Sequence, residues 1–126
     1  MGTSTQLGRV RGLGASGTGT DHFWKQRVTA VSNILLMVWF VVSLLRLPVL
    51  DYETVHLWLK QPLVAIPMLL LIASVFFHFR MGVQVWIEDY THNEGTKVLS
   101  VLALNLYTVA GAVTAIFCVL KIAFGA

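Results

Sequence analysis

Three long apolar runs, each bounded by charged or helix-breaking residues, organise this chain. The first, Val28 to Leu45, is eighteen uncharged residues between Arg27 and Arg46. At ~1.5 Å of rise per residue that length meets the minimum for a helix crossing ~30 Å of hydrocarbon. Pro48 then stops it. The second starts at Pro62, a residue suited to a first helical turn, and continues through Ile87; Pro67 inside it predicts a bend near the outer end. The third, Val98 to Ile122, is broken only by Ser100, Asn105, Tyr107, Thr108, Thr114 and Lys121, and its Gly111 and Ala115 make a flat strip where another helix can come close. The pattern therefore predicts an all-α integral membrane protein, a single membrane-anchor domain over residues 1–126 with three transmembrane helices at about 24–46, 62–89 and 96–123. Between the first two, residues 50–60 read as an interfacial turn in which Tyr52, Val55 and Leu59 recur at helical spacing, with Trp58 alongside at headgroup level.

Composition agrees: 56% hydrophobic and 12% charged residues lie outside the soluble norm of roughly 45–50% and 25%. The net charge of +3 would suit nucleic acid, but the basic residues flank the apolar runs and form no patch, so nucleic acid is excluded as a partner and the bilayer is expected. With the amino terminus in the cytoplasm, that side collects Arg9, Arg11, Lys25, Arg27 and Lys97, with Arg80 snorkelling toward it, against Arg46, Lys60 and Lys121 outside. Residues 1–20, rich in Gly, Ser and Thr, are expected to form a flexible cytoplasmic segment or to lie against a partner. Neither a myristoylation signal nor a secretory leader is expected, because Gln6 occupies the Ser/Thr position of the first and no cleavage site follows the first apolar run. Cys118, the only cysteine, excludes an intramolecular disulfide and a cysteine-based cluster.

The chemistry concentrates in the stretch from Phe76 to Tyr90. His78 lies within a spanning segment, where an ionisable side chain is expensive and marks a functional site by default. At about 100° per residue, His78, Gly82, Val85 and Asp89 form one stripe. An imidazole can ligate haem iron, and Gly82, one turn on, leaves room for the macrocycle. The plainer alternative is an imidazole bonded to a hydroxyl or carbonyl on another helix. His22, His56 and His92 lie outside the apolar runs, so a second axial ligand would come from another subunit. At the end of the stripe, Tyr90 and Asp89 offer a donor and a proton relay for a quinone headgroup, or simply close a helix in the aromatic belt. Arg27 reads either as a topology anchor or as a clamp for a haem propionate or quinone carbonyl, with Asp21 and His22 beside it. Arg80, about 200° around from His78, is expected to snorkel or reach another subunit. Ser32, Asn33 and Ser74 are expected to bond backbone or neighbouring helices.

The segments His22-Phe23-Trp24-Lys25-Gln26-Arg27-Val28-Thr29-Ala30 and His78-Phe79-Arg80-Met81-Gly82-Val83-Gln84-Val85-Trp86-Ile87-Glu88-Asp89-Tyr90 resemble the two signature stretches of the smaller hydrophobic membrane anchors of succinate dehydrogenase (complex II), alphaproteobacterial and mitochondrial type. The resemblance extends from Asp21 over nearly the whole chain. It implies half of a heterodimeric anchor bundle, paired with a second anchor subunit, with haem b between one histidine from each and His78 as this chain's axial ligand to the iron. It implies further an iron–sulfur subunit and a flavoprotein subunit that hold the iron–sulfur clusters and FAD, and ubiquinone bound near Tyr90 and Asp89, with Arg27 near both the quinone and the haem propionates and His22 in the same segment. The chain would thus belong to an enzyme, succinate:quinone oxidoreductase, without containing its flavin-site catalytic residues. The expected location is the bacterial inner membrane, or alternatively the mitochondrial one. An anchor of a quinol:fumarate reductase and a non-redox three-pass accessory subunit are the alternatives, and the assembly is left open between one heterotetramer and a trimer of them.

Overall fold

The computed structural model describes residues 5–10 and 19–125, all in helices or the short links between them. Helix α1 spans Gln6–Val10, α2 Gly19–Leu45, α3 Tyr52–Lys60, α4 Pro62–Tyr90 and α5 Glu94–Phe124. Of the expected amino-terminal segment, residues 1–4 and 11–18 lie outside the described residues. Helices α2, α4 and α5 are each long and apolar enough to cross a bilayer.

Each helix starts and stops for local reasons. Asp51 caps α3 by accepting from the Thr54 N–H at 2.8 Å, and Asn93 caps α5 by accepting from the Thr96 N–H at 3.2 Å. Pro62 opens α4 at a position where a missing N–H is harmless, and the helix continues through Pro67 to Tyr90. Helix α2 begins at Gly19, before the apolar run, because Asp21 and Lys25 pair across one turn at 2.7 Å in the polar lead-in.

Helix α4 is the middle of the array. Helices α2 and α5 pack on it from separate sides, and their backbones do not approach one another among the described residues. None of the residues in the most apolar stretch of α2 is buried within the chain, so most of that helix is left for lipid or another protein. On the α5 side, Gly111 lets the ring of Phe76 close in: a Cβ there would lie 2.8 Å from Phe76 Cε1. The helix that uses the small-residue strip is therefore α4 of the same chain.

The densest packing lies at the end of the array farthest from the amino terminus. Trp58, Val64, Ala65, Met68, Leu71 and Val119 form a buried cluster, with Trp39 and Phe40 of α2 packed against it. This corrects the expectation for residues 50–60. They form a complete nine-residue helix, and Trp58 does not sit at headgroup level but is only 8% exposed, stacked on Trp39 at 6.4 Å between ring centroids. Tyr52 does face outward. An indole that fills the gap between three helix ends removes far more apolar surface from water than one at an interface.

Candidate functional site

His78 stands on α4, twelve residues before the helix ends at Tyr90, or about 18 Å along the axis. The imidazole is half-buried and turned to α2, where its Nδ1 lies 3.1 Å from the Thr29 hydroxyl. Ser74, one turn earlier on α4, donates to the backbone carbonyl of the same Thr29 at 3.4 Å. Two polar contacts thus fasten α2 to α4 at one level. The expected pairing of Ser74 with a neighbouring helix is met here, whereas Asn33, one turn beyond Thr29 on α2, keeps a buried side-chain oxygen that no described residue bonds.

The stripe beyond His78 is open. A Cβ added at Gly82 would meet nothing within 4 Å, in contrast to Gly111. The missing side chain at Gly82 is therefore not required by this chain's own packing. Beside Val75, one turn before His78, runs an apolar groove of about 510 Å³ lined also by Asn33, Ile34, Met37 and Val38. An imidazole held by one nitrogen, free space on the next turn and an unanswered buried oxygen in the adjoining groove fit a flat, largely apolar group with polar substituents. These residues accommodate a haem.

Arg80, two residues past His78, goes the other way. Its Nε donates to Asn105 Oδ1 on α5, so the guanidinium expected to snorkel or reach another subunit is engaged at mid-helix within the chain. An arginine inside hydrocarbon needs an acceptor at its own depth, and the α5 amide supplies it.

At the end of α4, Tyr90 is 70% exposed, its ring tilted against Trp86 at 5.4 Å between centroids. Asp89 is exposed, and Glu88 beside it accepts from Gln84 Nε2 at 2.9 Å. Neither Asp89 nor the Tyr90 hydroxyl bonds any other described residue. Arg27 is exposed, with its guanidinium 4.7 Å from the centre of the Phe23 ring, and makes no bond to Asp89 or Tyr90. His22 is half-buried one helical turn before Gln26, and Asp21, grouped with Arg27 by position, pairs instead with Lys25. The structure therefore brings His78 to Thr29, leaves Gly82 clear, and presents Asp89, Tyr90 and Arg27 as separate exposed groups. Thr29 is the residue that the sequence pattern did not single out. Its only signal is a hydroxyl one turn after Lys25 and one turn before Asn33 in an otherwise apolar helix.

Comparison with known proteins fits this arrangement. The family described as succinate dehydrogenase/fumarate reductase transmembrane subunit matches residues 1–112. The chain is 26% identical over 115 residues to the succinate dehydrogenase hydrophobic membrane anchor subunit of Rickettsia bellii (strain RML369-C), covering 89% of this chain and 92% of that one. It is 29% identical over 106 residues to the protein of that name from Rickettsia felis (strain ATCC VR-1525 / URRWXCal2), covering 82% and 88%. With the succinate dehydrogenase membrane anchor subunit of Reclinomonas americana it shares 30% identity over 96 residues, 73% of this chain and 79% of the other. No solved structure gives a significant match.

Proposed function

Because this chain belongs to the succinate dehydrogenase/fumarate reductase transmembrane subunit family, we propose that it anchors a succinate:ubiquinone oxidoreductase in the bacterial inner membrane and contributes to its haem and quinone sites. His78 supplies one axial ligand to haem b, and a histidine of the second anchor subunit supplies the other. Tyr90, Asp89 and Arg27 contribute to the quinone-reduction site on the cytoplasmic face, where the iron–sulfur subunit docks and the flavoprotein subunit feeds it from succinate.

The observation that carries this reading is the clear space at Gly82, one turn beyond a histidine whose other contact is already made. A glycine that its own chain does not need points to an occupant from outside the chain. When bound, haem b provides a one-electron store inside the membrane. This chain's residues do the rest by position. The Tyr90 hydroxyl donates to a quinone carbonyl, the Asp89 carboxylate passes protons from the cytoplasmic side as the quinone takes up electrons, and the Arg27 guanidinium holds negative charge at the pocket rim.

The test is His78→Ala in the assembled complex, read by the reduced-minus-oxidised spectrum. Loss or displacement of the haem b band is expected. An unchanged spectrum would return His78 to a helix–helix hydrogen bond and remove the haem from the proposed site.

A further inference from the structure

We propose that Thr29 is a positioning residue for His78: its hydroxyl oxygen accepts the Nδ1 proton, which fixes the tautomer and leaves Nε2 as the iron-binding nitrogen. This rests on the reading of His78 as a haem ligand.

Counting protons gives the direction of the bond. Thr29 Oγ1 lies 2.8 Å from the Lys25 carbonyl oxygen, 3.0 Å from that of Gln26 and 3.1 Å from His78 Nδ1. A hydroxyl has one proton to give. Both carbonyls are acceptors only, and a threonine inside a helix characteristically donates back to the preceding turn. The hydroxyl proton is therefore committed within α2, and what it presents to α4 is a lone pair. The contact with His78 is then a hydrogen bond only if Nδ1 is the protonated nitrogen. In a neutral imidazole that leaves Nε2 bare, the form needed to ligate a metal.

The Ser74 hydroxyl keeps this register by donating to the Thr29 carbonyl, so α2 cannot slide along α4 without losing both contacts. A second consequence concerns the iron. Donation from Nδ1 to an acceptor raises the basicity of the ligating nitrogen, which favours the oxidised state and lowers the reduction potential. Thr29 would thus set both the orientation of the ligand and part of the potential.

The experiment uses the intact, purified complex with Thr29→Val, which keeps the branched shape and removes the acceptor, and Thr29→Ser, which restores it. Redox titration of the haem b band should show a higher midpoint potential in the valine variant and the wild-type value in the serine variant. Loss of haem with valine and its recovery with serine, in complexes that still assemble, would also support the proposal. A valine variant with bound haem and an unshifted or lowered potential would overturn it. So would equal loss of haem in both variants, which would assign Thr29 to packing. His78→Ala is run alongside: if the haem band survives there unchanged, the ligand reading itself has failed and the Thr29 proposal falls with it, whereas its loss there with no Thr29→Val effect refutes Thr29 alone.

Discussion

Arg80 and Asn105 join the middle of α4 to the middle of α5, the guanidinium Nε donating to the amide oxygen. Two residues earlier on α4, His78 makes its contact with α2. The ~200° between these positions therefore separates two jobs. One side of α4 carries the ligand candidate, and the other ties down a charge that the bilayer would otherwise penalise.

The Arg80–Asn105 pair is expected to respond asymmetrically to substitution. Asn105→Leu leaves a guanidinium at membrane depth without its acceptor, and costs about 1–3 kcal/mol. Replacing both partners by leucine removes the unmet group and is expected to cost less than the single Asn105→Leu change. Thermal loss of the detergent-solubilised complex, followed on native gels for the two single variants and the double variant, measures this. A double variant less stable than Asn105→Leu alone would show that Arg80 serves another partner.

Gly82 and Gly111 are predicted to fail differently when filled. At Gly111 a side chain collides with Phe76 inside the chain, so Gly111→Val should destabilise the α4–α5 pair by about 1–3 kcal/mol, with partial relief from Phe76→Leu. At Gly82 the chain has room. Gly82→Leu should leave insertion of the subunit unchanged and reduce haem content, measured as haem per assembled complex. Normal haem content in Gly82→Leu would mean that the space faces lipid.

How much of the fold and site is legible in the sequence follows from the range of each interaction. The three spans are legible because an apolar run between charges reports its solvent directly, without any contact being known. Gly82, His78 and Asp89-Tyr90 are legible as a spacing on one helix. Trp58 is not, because an indole next to polar residues looks the same in sequence whether it sits among headgroups or under Trp39 and Phe40. The Thr29–His78 and Arg80–Asn105 contacts join residues 49 and 25 positions apart, and only the pairing of helices reveals them.

Outside the membrane spans, Asp51 makes a pH-dependent contribution. Hydrogen bonds from Thr54, side chain and backbone, hold its carboxyl below the ordinary value of 3.8. A depressed folded-state pKa gives stability that is present above the unfolded value and lost as pH falls through the folded one. Asp51→Ala should therefore lower the stability of the complex at neutral pH, and the gap from wild type should narrow below about pH 3.8. Thermal melts of the two proteins across a pH series check it. A gap that stays constant would mean that the cap acts without its charge.

Tyr90 offers the sharpest test of the quinone site. Its hydroxyl bonds no described residue, and the side chain is 70% exposed at the end of α4, so Tyr90→Phe removes nothing that the chain's fold uses. Any loss should therefore appear where the phenol meets a ligand. One neutral hydrogen bond contributes about 0.5–1.5 kcal/mol, which corresponds to roughly a two- to twelve-fold fall in kcat/KM for ubiquinone. Succinate oxidation with an artificial acceptor that bypasses the membrane site should keep its wild-type rate, because the flavin and iron–sulfur steps lie in other subunits. Measured side by side on the same membranes, a selective loss with ubiquinone supports the phenol as a quinone donor. Equal loss with both acceptors would mean that Tyr90 holds the subunits together, and unchanged rates with both would leave it in the aromatic belt that anchors α4 at the membrane surface.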